Sequence, residues 1–467
     1  MEQLSGLDAA FVHQDSARTP MHVTAILLYE AGGRSLDLHT LRGVVEQRLL
    51  QLPLFQRRMQ RVTLDMDTPY WVAAGPVDWR YHLGVEDADG LPWSQYQSRL
   101  GKFHARCMNL TKPLWQLRLV SNIHGVPGIE EPCQALLLKA HHAAIDGISL
   151  ASLLHRLHDQ GLQDTQQSGS APPQPSPWQL WSRVNQNNLL RQVKLADTVG
   201  RLLPALTRFN GVKPKEKLPP VRRFRALFNA QISSGRSVGV VLLPREEVQH
   251  IKRALRRVTY NDIAASIIAG ALRRYLSGRG ELPDKSLVAG MPINLRGGDT
   301  RRSGSNQIAT MAVGLGTQVA DPIARTRLLH RYAVAGKRNI DALGTGTIMD
   351  ISDSLNPALL AGGLRTLAVA GSLGSMPVPF HTMISNVPGP TGEISLDGLP
   401  LLACAGLGPV RDNMGLFQII SSSDHYVSLT FSACSKLLPD ADNYRRMLLQ
   451  SHQELLDAAT NAGTQFL

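Results

Sequence analysis

Residues 135–140, Ala-Leu-Leu-Leu-Lys-Ala, make a short apolar run, and residues 148–155, Ile-Ser-Leu-Ala-Ser-Leu-Leu-His, bring leucines back at helical spacing. His141, His142, Asp146 and Gly147 stand between them. An apolar run of that length bounded by turn residues reads as a buried strand, which puts the two histidines at a strand-to-helix turn. Neighbouring residues of an extended segment point to opposite sides, so His141 and His142 cannot easily share one task or one metal ion. One should face a cavity while the other packs behind it. A neutral imidazole whose second nitrogen is held by a backbone acceptor is suited to take a proton from an alcohol or thiol. Asp146 has two readings: it orients that histidine, or it pairs with an arginine and braces the loop beside Gly147, which we favour. Taken alone, the same residues are equally well read as two core histidines and a turn aspartate.

The chain before this turn opens with Leu4-Ser-Gly-Leu-Asp8-Ala-Ala-Phe11 and continues through Pro20-Met21-His22 to Leu28. That reads as a capped turn, a short helix and a first strand, with Asp8 and His22 as structural hydrogen-bonders. Residues 38–50 show helical periodicity, whereas residues 70–72 and 78–82 alternate like half-exposed strands. Pro113-Leu114-Trp115 starts a strand that can lie beside the histidine strand.

Residues 163–177 are polar and rich in proline, which marks a linker. From 178 to 209, Trp178, Trp181, Val184, Leu189 and later apolar residues recur every three to four positions, with Arg183, Arg191 and Lys194 largely elsewhere. Such a basic amphipathic helix fits either contact with a membrane or lipid-droplet surface, or packing against a second domain. The chain thus divides into 1–162, a connecting 163–228, and 229–467.

In the last part Gly235-x-Ser237-x-Gly239 matches the serine-hydrolase elbow, but a strand follows the serine where the elbow needs a helix, so it is rejected. Thr259, Asn261 and Asp262 form a cap-like cluster at the start of a small-residue helix. Residues 287–296 make a buried strand that ends in the polar Asn294 and Arg296, and residues 306–313 make another. Residues 381–384 form a strand closed by the turn 385–390, where Asn386 bonds the backbone. Strands near 408–417 and 426–431 and a helix over 441–458 complete the chain.

A length of 467 residues suffices for two domains, and 43% hydrophobic residues indicate a globular chain. The excess of 49 Lys and Arg over 37 Asp and Glu, a net +12, favours anionic partners. Those basic residues are dispersed and no base-reading motif accompanies them, so nucleic acid has no support. Cys107, Cys133, Cys404 and Cys434 lie far apart and read as reduced thiols. The start shows no basic and apolar leader pattern, and no stretch reaches the roughly 18 apolar residues of a membrane span. The expectation is a cytoplasmic protein, at most peripheral at the inner membrane or a lipid-droplet surface.

The motif His141-His142-x-x-x-Asp146-Gly147 resembles the active-site motif of CoA-dependent acyltransferases and peptide-synthetase condensation domains. Together with the 4–11 segment, Pro113-Leu114-Trp115, Asn261-Asp262 and the 385–390 turn, it makes nearly the whole chain similar to the bacterial wax ester synthase/diacylglycerol acyltransferase family. The resemblance implies an α/β fold of two chloramphenicol acetyltransferase-like domains, each a mixed β-sheet flanked by helices, with the active site at their interface. It implies transfer of a long-chain acyl group from acyl-CoA to a fatty alcohol or diacylglycerol, with acyl-CoA as substrate and no cofactor or metal. His142 is then the general base within the set His141, Asp146 and Gly147, while Asn261 donates to the oxyanion and Asp262 caps its helix. Pro113, Leu114, Trp115 and Asn294 are the substrate-binding candidates, with Trp115 either in a tunnel wall or in the core. Arg296 is the candidate partner of Asp146. Two rivals stay open. A condensation-type enzyme would share the histidine motif but is expected among carrier domains, and a lipid-binding protein would need only a tunnel and the basic helix.

Overall fold

The computed structural model describes residues 2–31, 34–145, 147–163, 174–190, 224–294, 308–343 and 378–464. Strand β7 (Cys133–His141) has every residue buried, the pattern of a central strand covered on both faces. It pairs antiparallel with β2 (His22–Glu30) and β6 (Trp115–Ile123), so that His141 faces His22 and Ala140 lies opposite Trp115. β5 (Leu83–Asp87) adds to β6 in parallel. On the far side β13 (Leu399–Leu407) pairs with β2, and the short β12 (Ser395–Leu396) pairs with β13. The result is a mixed six-stranded sheet in the order β12-β13-β2-β7-β6-β5.

One face of this sheet is covered by α2 (Leu38–Val44), α3 (Pro53–Gln56) and α6 (Gly147–Leu157). Their Leu41, Phe55, Leu153 and Leu157 pack against Leu117, Leu136 and Leu138. The other face meets Trp93, Tyr96 and Leu100 of α5 (Trp93–Ala105), and Val238, Val240 and Leu242 of β8 (Arg236–Pro244).

β8 is the edge of a second mixed six-stranded sheet, ordered β10-β9-β11-β14-β15-β8. Its other members are β9 (Val288–Asn294), β10 (Ile308–Gly314), β11 (Thr382–Asn386), β14 (Leu416–Ser422) and β15 (Tyr426–Cys434). α8 (Arg245–Leu255), α9 (Tyr260–Gly278), α10 (Pro322–Leu343) and α11 (Ala441–Thr464) build the larger core against it. α9 starts with a capping box in which Thr259 and Asp262 satisfy each other's backbone N–H. Ser237 lies inside β8, and a Cβ on Gly239 would run into the Phe431 ring, so packing accounts for that glycine.

A small antiparallel sheet of β1 (Glu2–Gln3), β4 (Tyr70–Ala73) and β3 (Arg57–Gln60) flanks the first half, next to α1 (Gly6–Gln14). The segment expected as a strand over 78–82 is instead the helical turn α4 (Trp79–His82). Asp78 caps it by accepting from Tyr81 N–H and is itself bound by Lys112. Among the described residues, helix α7 (177–190) leans on the small sheet. Its Leu180 and Val184 pack on Val62 and Tyr70, and Asn187 Nδ2 donates to Asp67 Oδ2 at 2.9 Å. Most of the linker and residues 191–209 of the expected helix lie outside the described residues. Among the described residues no helix is long and apolar enough to cross a membrane.

The sheets meet along β13, a strand absent from the sequence reading. Its residues lie within the 229–467 segment, yet it completes the first sheet. Alternate carbonyls of this stretch point away from β2 and need partners from elsewhere. Hydroxyls of β15 supply one: Ser428 Oγ donates to Cys404 O at 2.7 Å, Thr430 to Gly406 O and Ser432 to Gly408 O. All three donors are buried.

Candidate active site

β7 ends at His141, whose backbone N–H donates to Leu114 O at 3.1 Å, and the next N–H, of His142, donates to Met21 O at 2.9 Å. The pair is therefore held from both sides by the segments that lead into β6 and β2. His141 is fully buried, and its Nδ1 accepts from Ala143 N–H at 3.1 Å, which leaves the ring proton on Nε2, 4.0 Å from Asp15 Oδ1. Burial, with His142 beside it, pushes His141 down to about 3, so it is neutral.

His142 is half-buried, and its ring stacks on Phe11 with centroids 4.0 Å apart and planes 18° from parallel. Phe11 sits on α1, which Ser5 caps by accepting from Asp8 N–H. Past the helix end, the Asp15 carboxylate accepts from Met21 N–H at 2.8 Å. One short helix and its C-terminal residue thus orient both the ring and the backbone of His142.

His142 opens onto a cavity of about 340 Å³ between the sheets. The first sheet contributes Val23, Thr24 and Ala25 from β2 and residues 404–407 of β13, followed by Gly408 and Pro409. The second contributes Pro292, Met383, Phe417 and Ile419. A Cβ at Gly408 would collide with the Phe417 ring, so glycine lets the two walls approach. The lining is mostly apolar, and Arg411 is the one charged side chain among the described lining residues. Such a cavity, with a few polar groups converging on it, is suited to an aliphatic ligand.

A polar network braces the wall from behind. His22 Nε2 donates to His104 O. His104 Nε2 donates to Gly408 O at 3.2 Å, so its Nδ1 accepts from the Thr24 hydroxyl at 2.9 Å. Lys139 Nζ donates to Phe103 O at 3.0 Å and Arg106 O at 2.7 Å, closing the C-terminal end of α5. Burial, then the nearby Lys139 charge, pushes His104 down to about 3, and burial pushes Lys139 down to about 7.

The remaining candidates fall in different places. Trp115 is fully buried between Phe55 and the His82 ring, with centroids 4.6 and 4.1 Å away, so it is core and not cavity wall. Leu114 and Pro113 are also buried, and the motif touches the histidines through the Leu114 carbonyl. Asn261, half-buried near the start of α9, is not among the cavity-lining residues. Asp262 is held in the capping box and lies 2.9 Å from His330 Nδ1. Asn386 is exposed at the end of β11, opposite Ile420, and so precedes its turn. Gly147 is the first residue of α6, and Asn294 ends β9 opposite Ile308. Asp146, Arg296 and the Asn294 side chain lie outside the described residues. Phe11, Gln14, Thr24 and Arg411 were not singled out from sequence. Phe11 lies in the 4–11 segment without a role assigned to it there, the other three carry no local signal, and only the fold gathers them.

Two mixed sheets with a histidine turn opening between them define the chloramphenicol acetyltransferase-like class of acyl-transferring folds. The chain belongs to the wax ester synthase/diacylglycerol acyltransferase family: the profile described as wax ester synthase/diacylglycerol acyltransferase catalytic domain matches residues 4–264, and that of the WS/DGAT C-terminal domain matches 304–455. A Mycobacterium tuberculosis (strain ATCC 25618 / H37Rv) protein described as a putative diacylglycerol O-acyltransferase is 26% identical over 478 residues, covering 98% of this chain and 91% of that one. Among solved structures, the wax ester synthase/diacylglycerol acyltransferase of Marinobacter aquaeolei VT8 superposes with a TM-score of 0.66 at 20% identity, covering 98% of this chain and 100% of that one. The starter condensation domain of rhizomide synthetase, solved with C8-CoA and Leu-SNAC, gives 0.54 at 14% identity, covering 99% and 95%.

Proposed function

We propose that the chain is an O-acyltransferase that moves a long-chain acyl group from acyl-CoA to a fatty alcohol or diacylglycerol. The observation that carries this reading is His142 opening onto an apolar cavity between the two sheets. An alcohol is too weak an acid to attack a thioester unaided near neutral pH, so a base must take its proton as the bond forms. His142 fills that role, with the Phe11 stack and the Met21 hydrogen bond fixing its approach. Attack on the thioester carbonyl gives an oxyanion that needs a preorganised donor. Asn261 lies outside the cavity lining, which favours a backbone N–H for this task. The imidazolium then returns its proton to the departing CoA thiolate. His141 stays neutral and buried and supports the turn. Asp146 and Arg296 are proposed to brace the same loop, and Asn294 to face the substrate.

The test is purified protein with labelled palmitoyl-CoA and either hexadecanol or a diacylglycerol, beside His142→Ala. The expected result is a lipid ester that forms with the wild type and is lost in a folded variant, with the two acceptors ranking the activities. CoA release without ester would mean hydrolysis. Acyl-CoA binding without any product would leave a lipid-binding protein.

Contact with a membrane or lipid-droplet surface belongs to the same proposal. Trp178 and Trp181, 69% and 58% exposed, stack on each other, and Leu189 falls on the same side of α7. Liposome flotation that is unchanged on deleting 177–190 would sink it.

A further inference from the structure

The cavity contains a charge that acyl transfer to a neutral alcohol does not use. Arg411, in the turn before β14, lines the same space as His142. Among the described residues its guanidinium has one side-chain partner, Gln14 Oε1 at 3.0 Å, and no carboxylate within ion-pairing distance. The neighbouring Asp412 is already committed, to Arg18 Nη2 at 2.8 Å and Ile232 N–H at 2.9 Å. An arginine keeps its charge at neutral pH. Arg411 is solvent-exposed where it meets this space, and a guanidinium presents five N–H donors of which a single amide oxygen takes one, so the others are open to an acceptor on an entering ligand.

We propose that this cavity binds an aliphatic carboxylate, with Arg411 pairing with its head group beside the Gln14 amide. The charge count selects the class. Arg411 is the only cation in the described lining, so it matches the single charge of a monoanion and leaves half of a phosphate dianion's charge unmatched. The planar fork matches a carboxylate in two parallel hydrogen bonds, and the apolar lining takes the chain. The inference extends the acyl-transfer reading by naming a ligand class and rests on it only in taking this cavity as the reaction site. Binding is read without turnover, so the two can fail separately.

The experiment is calorimetric titration of the full chain at neutral pH with dodecanoate and with dodecan-1-ol, for wild type, Arg411→Gln and Arg411→Lys, with circular dichroism to check folding. Wild type is expected to bind the carboxylate at least about tenfold tighter than the alcohol. Arg411→Gln should lose that preference with its affinity for the alcohol intact, and Arg411→Lys should keep part of it. Equal binding of both ligands by wild type overturns the proposal, as does a preference that survives in Arg411→Gln. If Arg411→Gln instead weakens CoA and leaves the dodecanoate preference alone, the arginine serves a CoA phosphate. If it lowers turnover on neutral acceptors with the preference intact, it serves the oxyanion. Either result also overturns the carboxylate assignment.

Discussion

Residues 404–408 make two kinds of contact at once, a pinned one through their carbonyls and an open one where they line the cavity. Where their carbonyls meet β15, three buried hydroxyls satisfy them and the sheets are pinned. Where their side chains meet β2 and β14, the walls part around His142 and Arg411. The pinned contact is polar but uncharged, while the open one is apolar apart from a few groups able to move or attract charge. The contrast teaches that satisfying a strand's backbone through neighbouring side chains leaves its other face free to line a cavity. It also separates what should change when each contact is altered.

The largest expected difference comes from His142→Ala, which removes the base at the open contact. Turnover should fall by about a hundredfold to ten-thousandfold in a variant that still folds, with stability lowered only by the lost Phe11 stack, about 0.5–1.5 kcal/mol. A variant that still makes ester at the wild-type rate would break the assignment.

Acid is expected to act on the open contact next. His104 and His141 are held near 3, against an ordinary value of 6.5, so they stay neutral in the folded protein. Below about 6.5 the unfolded chain takes up protons that the folded one refuses, so stability is present above that value and is lost as pH falls toward 3. Two such groups give a slope on the order of 2–3 kcal/mol per pH unit, measurable as a falling urea midpoint between pH 6.5 and 4. A flat profile would contradict the neutral burial of these rings.

At the pinned contact Thr430→Val orphans the Gly406 carbonyl. It should cost about 1–3 kcal/mol in denaturant unfolding, with ester formation per folded molecule preserved. An unmoved midpoint would mean that the hydroxyls do not pin the sheets. Phe11→Leu removes the stack beneath the base, worth about 0.5–1.5 kcal/mol, and should lower kcat several-fold, with Phe11→Tyr restoring most of it. Full activity in the leucine variant would show that the ring needs no support. The smallest change is expected for Ser237→Ala, which should leave ester and free CoA yields unaltered. Loss of CoA release in that variant would revive the hydrolase reading.

Much of the first sheet, and the start of α9 beside the second, was legible because the signals are local. The apolar run before His141, the helical leucines after Gly147, the Pro113 start of the neighbouring strand and the Thr259 to Asp262 cap each depend on residues close in the chain. β13 was not legible. Its sequence Leu-Pro-Leu-Leu-Ala-Cys-Ala-Gly-Leu lacks alternation, and its partner β2 lies more than 350 residues earlier. Residues 78–82 alternate like a strand, yet Asp78 caps a helical turn there, and a cap overrides pattern in so short a piece. Trp115 shows the same limit at the site. Its motif marks the right neighbourhood, and the alternation Trp-Gln-Leu-Arg-Leu turns Trp115 inward, but alternation does not tell whether the space it meets there is cavity or core.

Because β13 arrives from residues near 400 to complete a sheet begun at residue 22, one half of the molecule is hooked into the other. The halves cannot swing apart like the covers of a book without tearing a strand from its neighbours. Any widening of the space between them is then left to the side chains that line it.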